Sequence, residues 1–150
     1  WEAELLAYFL ASYPHNVPAD WFDLEMKSVF SVDVFAKDFD KQAGYTIFNS
    51  PDFPLLLMRL ENLSESTMDV ISDFLDIDFF TLKRSNAAED KWYAEQYANF
   101  KAAGVLPSSY LDQMYSAAAV RHFYSPSEIA EFRKKWEEPE AIGFVSKERQ

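Results

Sequence analysis

In the first fifty positions, apolar residues lie at helical intervals at first and alternate with polar residues further on. Residues 1–12 carry apolar side chains at helical intervals, and a second helix is predicted to begin at Pro18. Residues 31–35 (SVDVF) alternate between polar and apolar positions, which predicts a short extended piece. A turn over residues 39–44 precedes residues 45–48 (YTIF), which predict a short strand.

The strongest strand signal lies in residues 55–60 (LLLMRL). This apolar run is bounded by turn-forming residues, as expected for a strand that is covered on both faces. Ser64 is a suitable N-cap for a following helix, and that helix has an apolar stripe. The stripe comprises Met68, Ile71, Phe74 and Leu75. The order of strand, loop and amphipathic helix favours an α/β unit.

The second half of the chain predicts helices throughout. Residues 87–103 form one helix that ends at Gly104, and another begins after Pro107. Ser125 and Glu128 have the spacing of a capping box and predict a further helix start. We therefore expect an α/β, predominantly helical fold.

The length and hydrophobic content set the size of this fold. With 150 residues, 49% of them hydrophobic, residues 1–150 predict a single domain with a bulky aromatic core. The patterning predicts one or two short strands and about six helices. Residues 138–150 are weakly patterned and predict a frayed tail. The first residue is Trp1, which indicates a piece of a longer protein.

Composition excludes several functions. Only 3 glycines occur, too few and too scattered for a glycine-rich phosphate loop or a dinucleotide fingerprint within this chain. Cysteine is absent and only 2 histidines occur, so no metal site is expected. The net charge of −11 argues against nucleic-acid binding. No stretch approaches the roughly 20 apolar residues that a membrane span requires, so we expect no membrane-spanning segment.

Two clusters carry candidate chemistry. Arg59 and Glu61 lie at the carboxyl end of the predicted strand, where ligand sites of α/β sheets commonly lie, although a structural pair that fixes the loop is the more common case. Lys83 and Arg84, followed by Lys91, could form an anion clamp or could be solvated surface cations. His122 is a candidate general base, but a histidine packed at a helix end is the more common case.

The segment from Arg59 to Ile77 resembles a signature of sulfotransferases. Residues 59–63 (RLENL), with a helix ending in residues 74–77 (FLDI), are similar to the R-x-E-D-L … F-L-G-[LI] pattern of those enzymes. Asn62 stands where the pattern has Asp, and Asp76 stands where it often has Gly.

A broader resemblance connects the chain to a bacterial family of capsular polysaccharide synthesis proteins marked by an N-K-W-Y-S motif. Residues 89–93 (EDKWY) resemble that motif, with Asp90 in the place of its Asn and Ala94 in the place of its Ser. Residues 21–25, 39–45 and 122–136 also resemble the family.

The resemblance implies the C-terminal part of a P-loop-like sulfotransferase fold. It implies sulfuryl transfer from 3′-phosphoadenosine 5′-phosphosulfate (PAPS), without a metal, to a carbohydrate or glycolipid acceptor in the cytoplasm. Lys83 and Arg84 would contact the 3′-phosphate of PAPS, with Lys91 nearby, while Arg59 and Glu61 would organise the loop beneath it. The family's phosphosulfate loop lies upstream of such segments, so the isolated chain is expected to be inactive.

Two other functions remain open from the sequence. The aromatic-rich helices of the second half also suit a non-catalytic protein-interaction domain. Residues 76–78 (DID) match the D-x-D letters of metal-dependent glycosyltransferases, but they follow a helix in the F-L-G-[LI] position, so we interpret that match as a coincidence.

Overall fold

The computed structural model describes residues 2–50, 52–83, 85 and 87–137. Most of these residues are helical, and one pair of strands lies near the middle of the chain. The helices are α1 (Glu2–Ser12), α2 (Val17–Trp21), α3 (Ser28–Phe30), α4 (Glu65–Leu75), α5 (Ala94–Ala103), α6 (Ser108–Tyr115), α7 (Ala118–Phe123) and α8 (Pro126–Glu137). The strands are β1 (Tyr45–Asn49) and β2 (Pro54–Met58). The predicted frayed tail, residues 138–150, lies outside the described residues.

The helical prediction is confirmed, with local differences at three places. A π-helical stretch, Phe22–Lys27, joins α2 to α3, so the predicted second helix is continuous. The helix predicted after Pro107 divides into α6 and α7. The start predicted at residue 87 for the preceding helix is wrong, because Ala88–Asp90 form a 3₁₀ turn and α5 begins at Ala94.

The predicted extended piece at residues 31–35 is wrong, because Val34–Ala36 form a 3₁₀ turn. The carboxylate of Asp33 accepts a hydrogen bond from the backbone N–H of Phe35 at 3.0 Å. This local bond holds the chain in a turn, and the alternating pattern alone did not reveal it.

Both strands are confirmed, but they form an antiparallel hairpin in which Tyr45 faces Met58 and Asn49 faces Pro54. The expectation that β2 is covered on both faces is wrong, because Leu55 to Met58 are only half-buried. In β1, Thr46 and Phe48 point into the core while their neighbours are exposed, as is usual for an antiparallel pair with one solvent-facing side. The P-loop-like sulfotransferase fold stays a prediction.

The main core lies between the π-helical stretch, the 3₁₀ turn after α3, the hairpin and α7. Aromatic rings dominate it, as predicted: Phe123 packs at 5.0 Å from Phe22 and at 5.1 Å from Phe39, measured between ring centroids. The buried members of the cluster are Met26, Val32, Val34, Phe39, Phe48, Ala119 and Phe123. The core therefore fixes the hairpin against the start of the C-terminal helices.

The predicted turn before β1 ends at Gly44, which has a positive φ of 77°. The backbone N–H of Gly44 donates to the carbonyl of Asp40 at 2.8 Å, and its own carbonyl accepts from the N–H of Arg59 at 3.0 Å. A Cβ atom at this position would overlap the side-chain amide of Asn62. Both the backbone conformation and the close approach therefore require glycine.

We predict that Gly44→Ala lowers the free energy of unfolding by about 1–3 kcal/mol, because the left-handed conformation and the overlap with Asn62 both oppose a side chain. Urea unfolding of the variant measures this loss. In an Asn62→Ala background the cost of Gly44→Ala should be smaller, because the overlap is removed and only the backbone term remains. An equal cost in both backgrounds would contradict the close approach.

Candidate functional site

Arg59 lies at the end of β2 and is among the most buried polar residues of the described chain. Only 9% of the residue is exposed. Strand β2 continues the antiparallel ladder up to Met58, and Leu60–Asn62 then form a 3₁₀ turn, so the Arg59 side chain is directed inward where the strand ends. A buried guanidinium requires partners for its N–H groups and for its charge.

The guanidinium of Arg59 finds these partners on four segments. Its Nε donates to Oδ1 of Asn62 at 2.7 Å, and its Nη2 donates to the carbonyl of Lys41 at 3.1 Å. Its Nη1 donates to the carbonyl of Phe123 at 3.2 Å and to Oε1 of Glu128 at 2.7 Å. Arg59 therefore joins the hairpin to the turn before it and to the junction of α7 and α8, and its charge is compensated by Glu128.

Glu128 is itself held by the start of α8. Its second carboxylate oxygen accepts the backbone N–H of Ser125 at 2.7 Å, while its own N–H donates to the hydroxyl of Ser125 at 3.3 Å. This confirms the predicted capping box. The hydrogen bonds from Ser125, followed by the one from Arg59, hold the pKa of Glu128 below its usual value. Glu128 is therefore a carboxylate at neutral pH.

Tyr124 connects Arg59 to Glu61. The guanidinium of Arg59 lies 5.2 Å from the centroid of the Tyr124 ring. The hydroxyl of Tyr124 faces both carboxylate oxygens of Glu61, at 3.1 and 3.2 Å, and donates to that group. Burial, followed by the charge of Glu61, raises the pKa of Tyr124 to about 12, so its hydroxyl stays protonated at neutral pH.

A cavity of about 290 Å³ lies beside this pair. Glu61 and Lys135 contribute its charged groups, and rings from α6, from α8 and from the segment between α7 and α8 contribute most of the remaining wall. The aromatic residues of the wall are Tyr115, Tyr124, Phe132 and Trp136. An arrangement of apolar surface with a few polar groups can orient a small polar ligand, with the Glu61 carboxylate as a hydrogen-bond acceptor.

The described lysines of the predicted anion clamp make no hydrogen bond or ion pair with the Arg59 network. Lys83 is exposed, and within the described residues it makes no hydrogen bond or ion pair. The side chain of Lys91, just before α5, likewise has no such partner there. Arg84 lies outside the described residues. The structure brings Arg59 and Glu61 together through Tyr124, and the role of the three cations in donor binding stays a prediction.

The end of α4 explains the unusual residue in the F-L-D-I segment. Asp76 takes the left-handed conformation, with φ 54° and ψ 49°, and the N–H of Ile77 donates to the carbonyl of Ser72 at 3.1 Å. Asp76 therefore occupies a C-cap position for which glycine is the usual residue. Within the described part of the chain, no group of three or more histidine, aspartate or glutamate side chains could hold a metal ion.

His122 packs at the end of α7, as the more common alternative predicted. Its ring lies 5.1 Å from the ring of Phe35 and 4.9 Å from that of Phe123, in edge contacts. Its Nε2 is buried and has no hydrogen-bond partner among the described residues. Burial is the main cause that lowers the pKa of His122 below its usual value. His122 is therefore a half-buried, neutral histidine that packs among aromatic rings.

The residues that complete the Arg59 network were not identified as site residues from the sequence. Tyr124 was noted only for its resemblance, and Glu128 only as a helix-capping residue. One signal was available: an arginine at the end of an apolar strand needs a carboxylate, and a capping-box glutamate has a second oxygen to offer. The separation of 69 residues between Arg59 and Glu128 hides this partnership in the sequence.

The comparison with protein families agrees with the broader resemblance. The profile of the NKWYS family, described as "Putative capsular polysaccharide synthesis protein", matches residues 5–125. The chain therefore belongs to this family. No curated protein and no solved structure matches the chain significantly. Among the described residues, no helix has the length and apolar character to cross a membrane.

We predict that Glu128→Gln lowers the free energy of unfolding by about 1–3 kcal/mol, because it leaves the buried Arg59 charge uncompensated. Chemical denaturation measures this loss. The matched control is Glu137→Gln, which removes the exposed partner of Arg133 at 2.6 Å and should have a clearly smaller effect. Equal losses in the two variants would show that Arg59 does not depend on Glu128.

We predict that the free energy of unfolding falls as the pH decreases through about 7 to 5, in part because of His122. The unfolded chain, with a histidine pKa near 6.5, binds this proton more readily than the folded chain, where burial lowers the pKa. The contribution is therefore present above pH 6.5 and is lost on acidification towards the folded pKa. Denaturation at several pH values should show a shallower dependence for His122→Gln, and identical slopes would contradict the buried neutral imidazole.

Proposed function

We propose that this chain belongs to an enzyme that transfers a sulfuryl group from PAPS to a carbohydrate hydroxyl during capsular polysaccharide synthesis. The family match supports the polysaccharide part of this proposal. The sulfuryl-transfer part depends on the resemblance of residues 59–77 to the sulfotransferase segment. The cytoplasm is the compartment that we propose for the reaction.

The local geometry of residues 59–77 supports the proposal, because it is compatible with the sulfotransferase pattern at both positions where the sequence departs from it. Asn62 uses its Oδ1 to accept from Nε of Arg59, as an aspartate oxygen would. Asp76 adopts the left-handed conformation that the glycine of the pattern favours. The two substitutions are therefore compatible with the sulfotransferase pattern.

Sulfuryl transfer resembles phosphoryl transfer, in which catalysis consists largely of orientation and of charge stabilisation by cations and backbone amides. In this chain Arg59 is already paired with Glu128, so its role is to position residues 60–62 and Glu61. Lys83 has no carboxylate partner among the described residues and is available to an anion. We assign contact with the 3′-phosphate to Lys83 and Arg84, with Lys91 as an auxiliary cation.

The test is the binding of adenosine 3′,5′-bisphosphate, measured by titration calorimetry. The protein is the longest natural chain that contains residues 1–150, because we propose that the phosphosulfate loop precedes them. Lys83→Ala combined with Arg84→Ala should weaken binding at least about tenfold, since charge-assisted hydrogen bonds to phosphate are lost. The weakening should decrease at high salt, which screens exposed charges.

The matched control is Lys134→Ala, which removes an exposed cation of α8 that has no ion pair within the described residues. Its affinity should equal that of the wild-type protein. Equal weakening by Lys134→Ala would show that binding depends only on the net charge of the protein. Absence of binding by the wild-type protein would overturn sulfuryl transfer from PAPS.

A protein-interaction domain remains the second candidate, and one observation favours it. Trp92 is 90% exposed, and the nearby Tyr93 and Tyr97 are also exposed, which is an unusual aromatic surface for a chain that only packs its own core. Failure to bind adenosine 3′,5′-bisphosphate would favour this function.

A further inference from the structure

A second cleft, of about 330 Å³, lies at the opposite end of the hairpin from Arg59. One wall is the chain that follows α3, and the other is the end of β1. The polar residues of its walls are Ser31, Asp33, Lys37, Asn49 and Ser50. We propose that this cleft, called the hairpin cleft below, binds one neutral sugar unit of the acceptor carbohydrate.

Three polar side chains of the hairpin cleft have no partner within the described part of the chain. Ser31 and Asn49 are exposed and make no side-chain hydrogen bond there. The hydroxyl oxygen of Ser50 is buried and also has none. A buried polar atom without a partner is costly, and its usual explanation is an additional ligand or water. Two hydroxyls and one amide offer donors and acceptors together, which is what a polyol requires.

The two charged residues of the cleft already have hydrogen-bond partners within the protein. The carboxylate of Asp33 accepts from Nζ of Lys27 at 2.7 Å, and Nζ of Lys37 donates to the carbonyl of Ile47 at 3.0 Å. One acid and one base therefore face the cleft, and both are already engaged by the protein. The groups left for a ligand are the two hydroxyls and the amide, which suit the hydroxyls of a neutral sugar.

An aromatic pair joins the two segments that form the hairpin cleft. The rings of Phe30 and Phe53 are 5.7 Å apart at an interplanar angle of 87°. Phe30 directly precedes Ser31, while the carbonyl of Phe53 accepts from the N–H of Ser50 at 3.3 Å. The two residues are 43% and 36% exposed. The pair therefore holds the two walls of the cleft together, so that their polar groups can bind the hydroxyls of one sugar.

The proposal rests on the carbohydrate part of the proposed function, and it adds the residues that would hold the acceptor. Asn49 and Ser50 contact the sugar hydroxyls directly, Ser31 lies on the opposite wall, and the Phe30–Phe53 pair holds the two walls together. None of these residues was a site candidate from the sequence.

The experiment is an NMR titration of the chain with D-glucose, D-galactose and N-acetyl-D-glucosamine, each up to about 100 mM, where a millimolar site is saturated. The side-chain amide of Asn49 and the backbone amides of Ser31 and Ser50 should shift with at least one sugar. Sodium sulfate serves as the anionic probe and should leave these signals unchanged at the same concentration.

Two pairs of variants assign the effect to the cleft. Asn49→Ala should weaken sugar binding about fivefold, as expected for the loss of one hydrogen bond. Asn16→Ala, which changes an exposed asparagine without a side-chain cap bond, should leave binding unchanged. Ser50→Ala should likewise weaken sugar binding, and its exposed control Ser109→Ala should leave binding unchanged. The test therefore does not depend on a single variant folding normally.

Several outcomes would overturn the proposal. Absence of shifts with all three sugars, shifts confined to other regions, or equal effects of the variants and their controls would each remove the sugar site. A response to sulfate as strong as to sugar would indicate an anion site instead. Sugar binding without adenosine 3′,5′-bisphosphate binding would uphold the hairpin cleft and overturn sulfuryl transfer, whereas nucleotide binding without sugar binding would do the reverse.

Discussion

The burial of one guanidinium, that of Arg59, determines how the central part of this chain is assembled. A buried arginine is tolerated only when its N–H donors and its charge are both satisfied. The partners are the carbonyls of Lys41 and Phe123, the amide of Asn62 and the carboxylate of Glu128. The turn before β1, the end of α7 and the start of α8 must therefore all meet at the end of β2. Lys41 reinforces this meeting, since its Nζ donates to the carbonyl of Arg121 at 2.8 Å.

The same constraint limits what Arg59 can do in a reaction. Its charge is compensated by Glu128, and its ring neighbour Tyr124 keeps a protonated hydroxyl on Glu61. An arginine whose charge is already compensated stabilises a loop and contributes little attraction to an incoming sulfate or phosphate. The attraction must then come from cations without partners, and among the predicted residues that the structure describes, Lys83 and Lys91 meet this condition. The division between a structural arginine and accessible lysines is what our proposed function requires.

Features that depend on neighbouring residues could be predicted from the sequence, and those that depend on distant partners could not. The Ser125–Glu128 capping box, the turn ending at Gly44 and both strands follow from local patterns, and all are present. The Arg59–Glu128 pair spans 69 residues, and no local pattern announces it. Prediction also failed over residues 31–35, where one carboxylate bond to a neighbouring N–H outweighed the alternating pattern.

The dimensions of the hairpin connect the two candidate sites. Arg59 adjoins the end where Tyr45 faces Met58, and the hairpin cleft adjoins the end where Asn49 faces Pro54. Since an antiparallel strand rises about 3.4 Å per residue, these ends are on the order of 15 Å apart. A single sugar held by Asn49 and Ser50 therefore cannot also present its hydroxyl beside Glu61. If both sites serve one reaction, the acceptor must extend along the hairpin over several sugar units, and a polysaccharide precursor satisfies this requirement where a free monosaccharide does not.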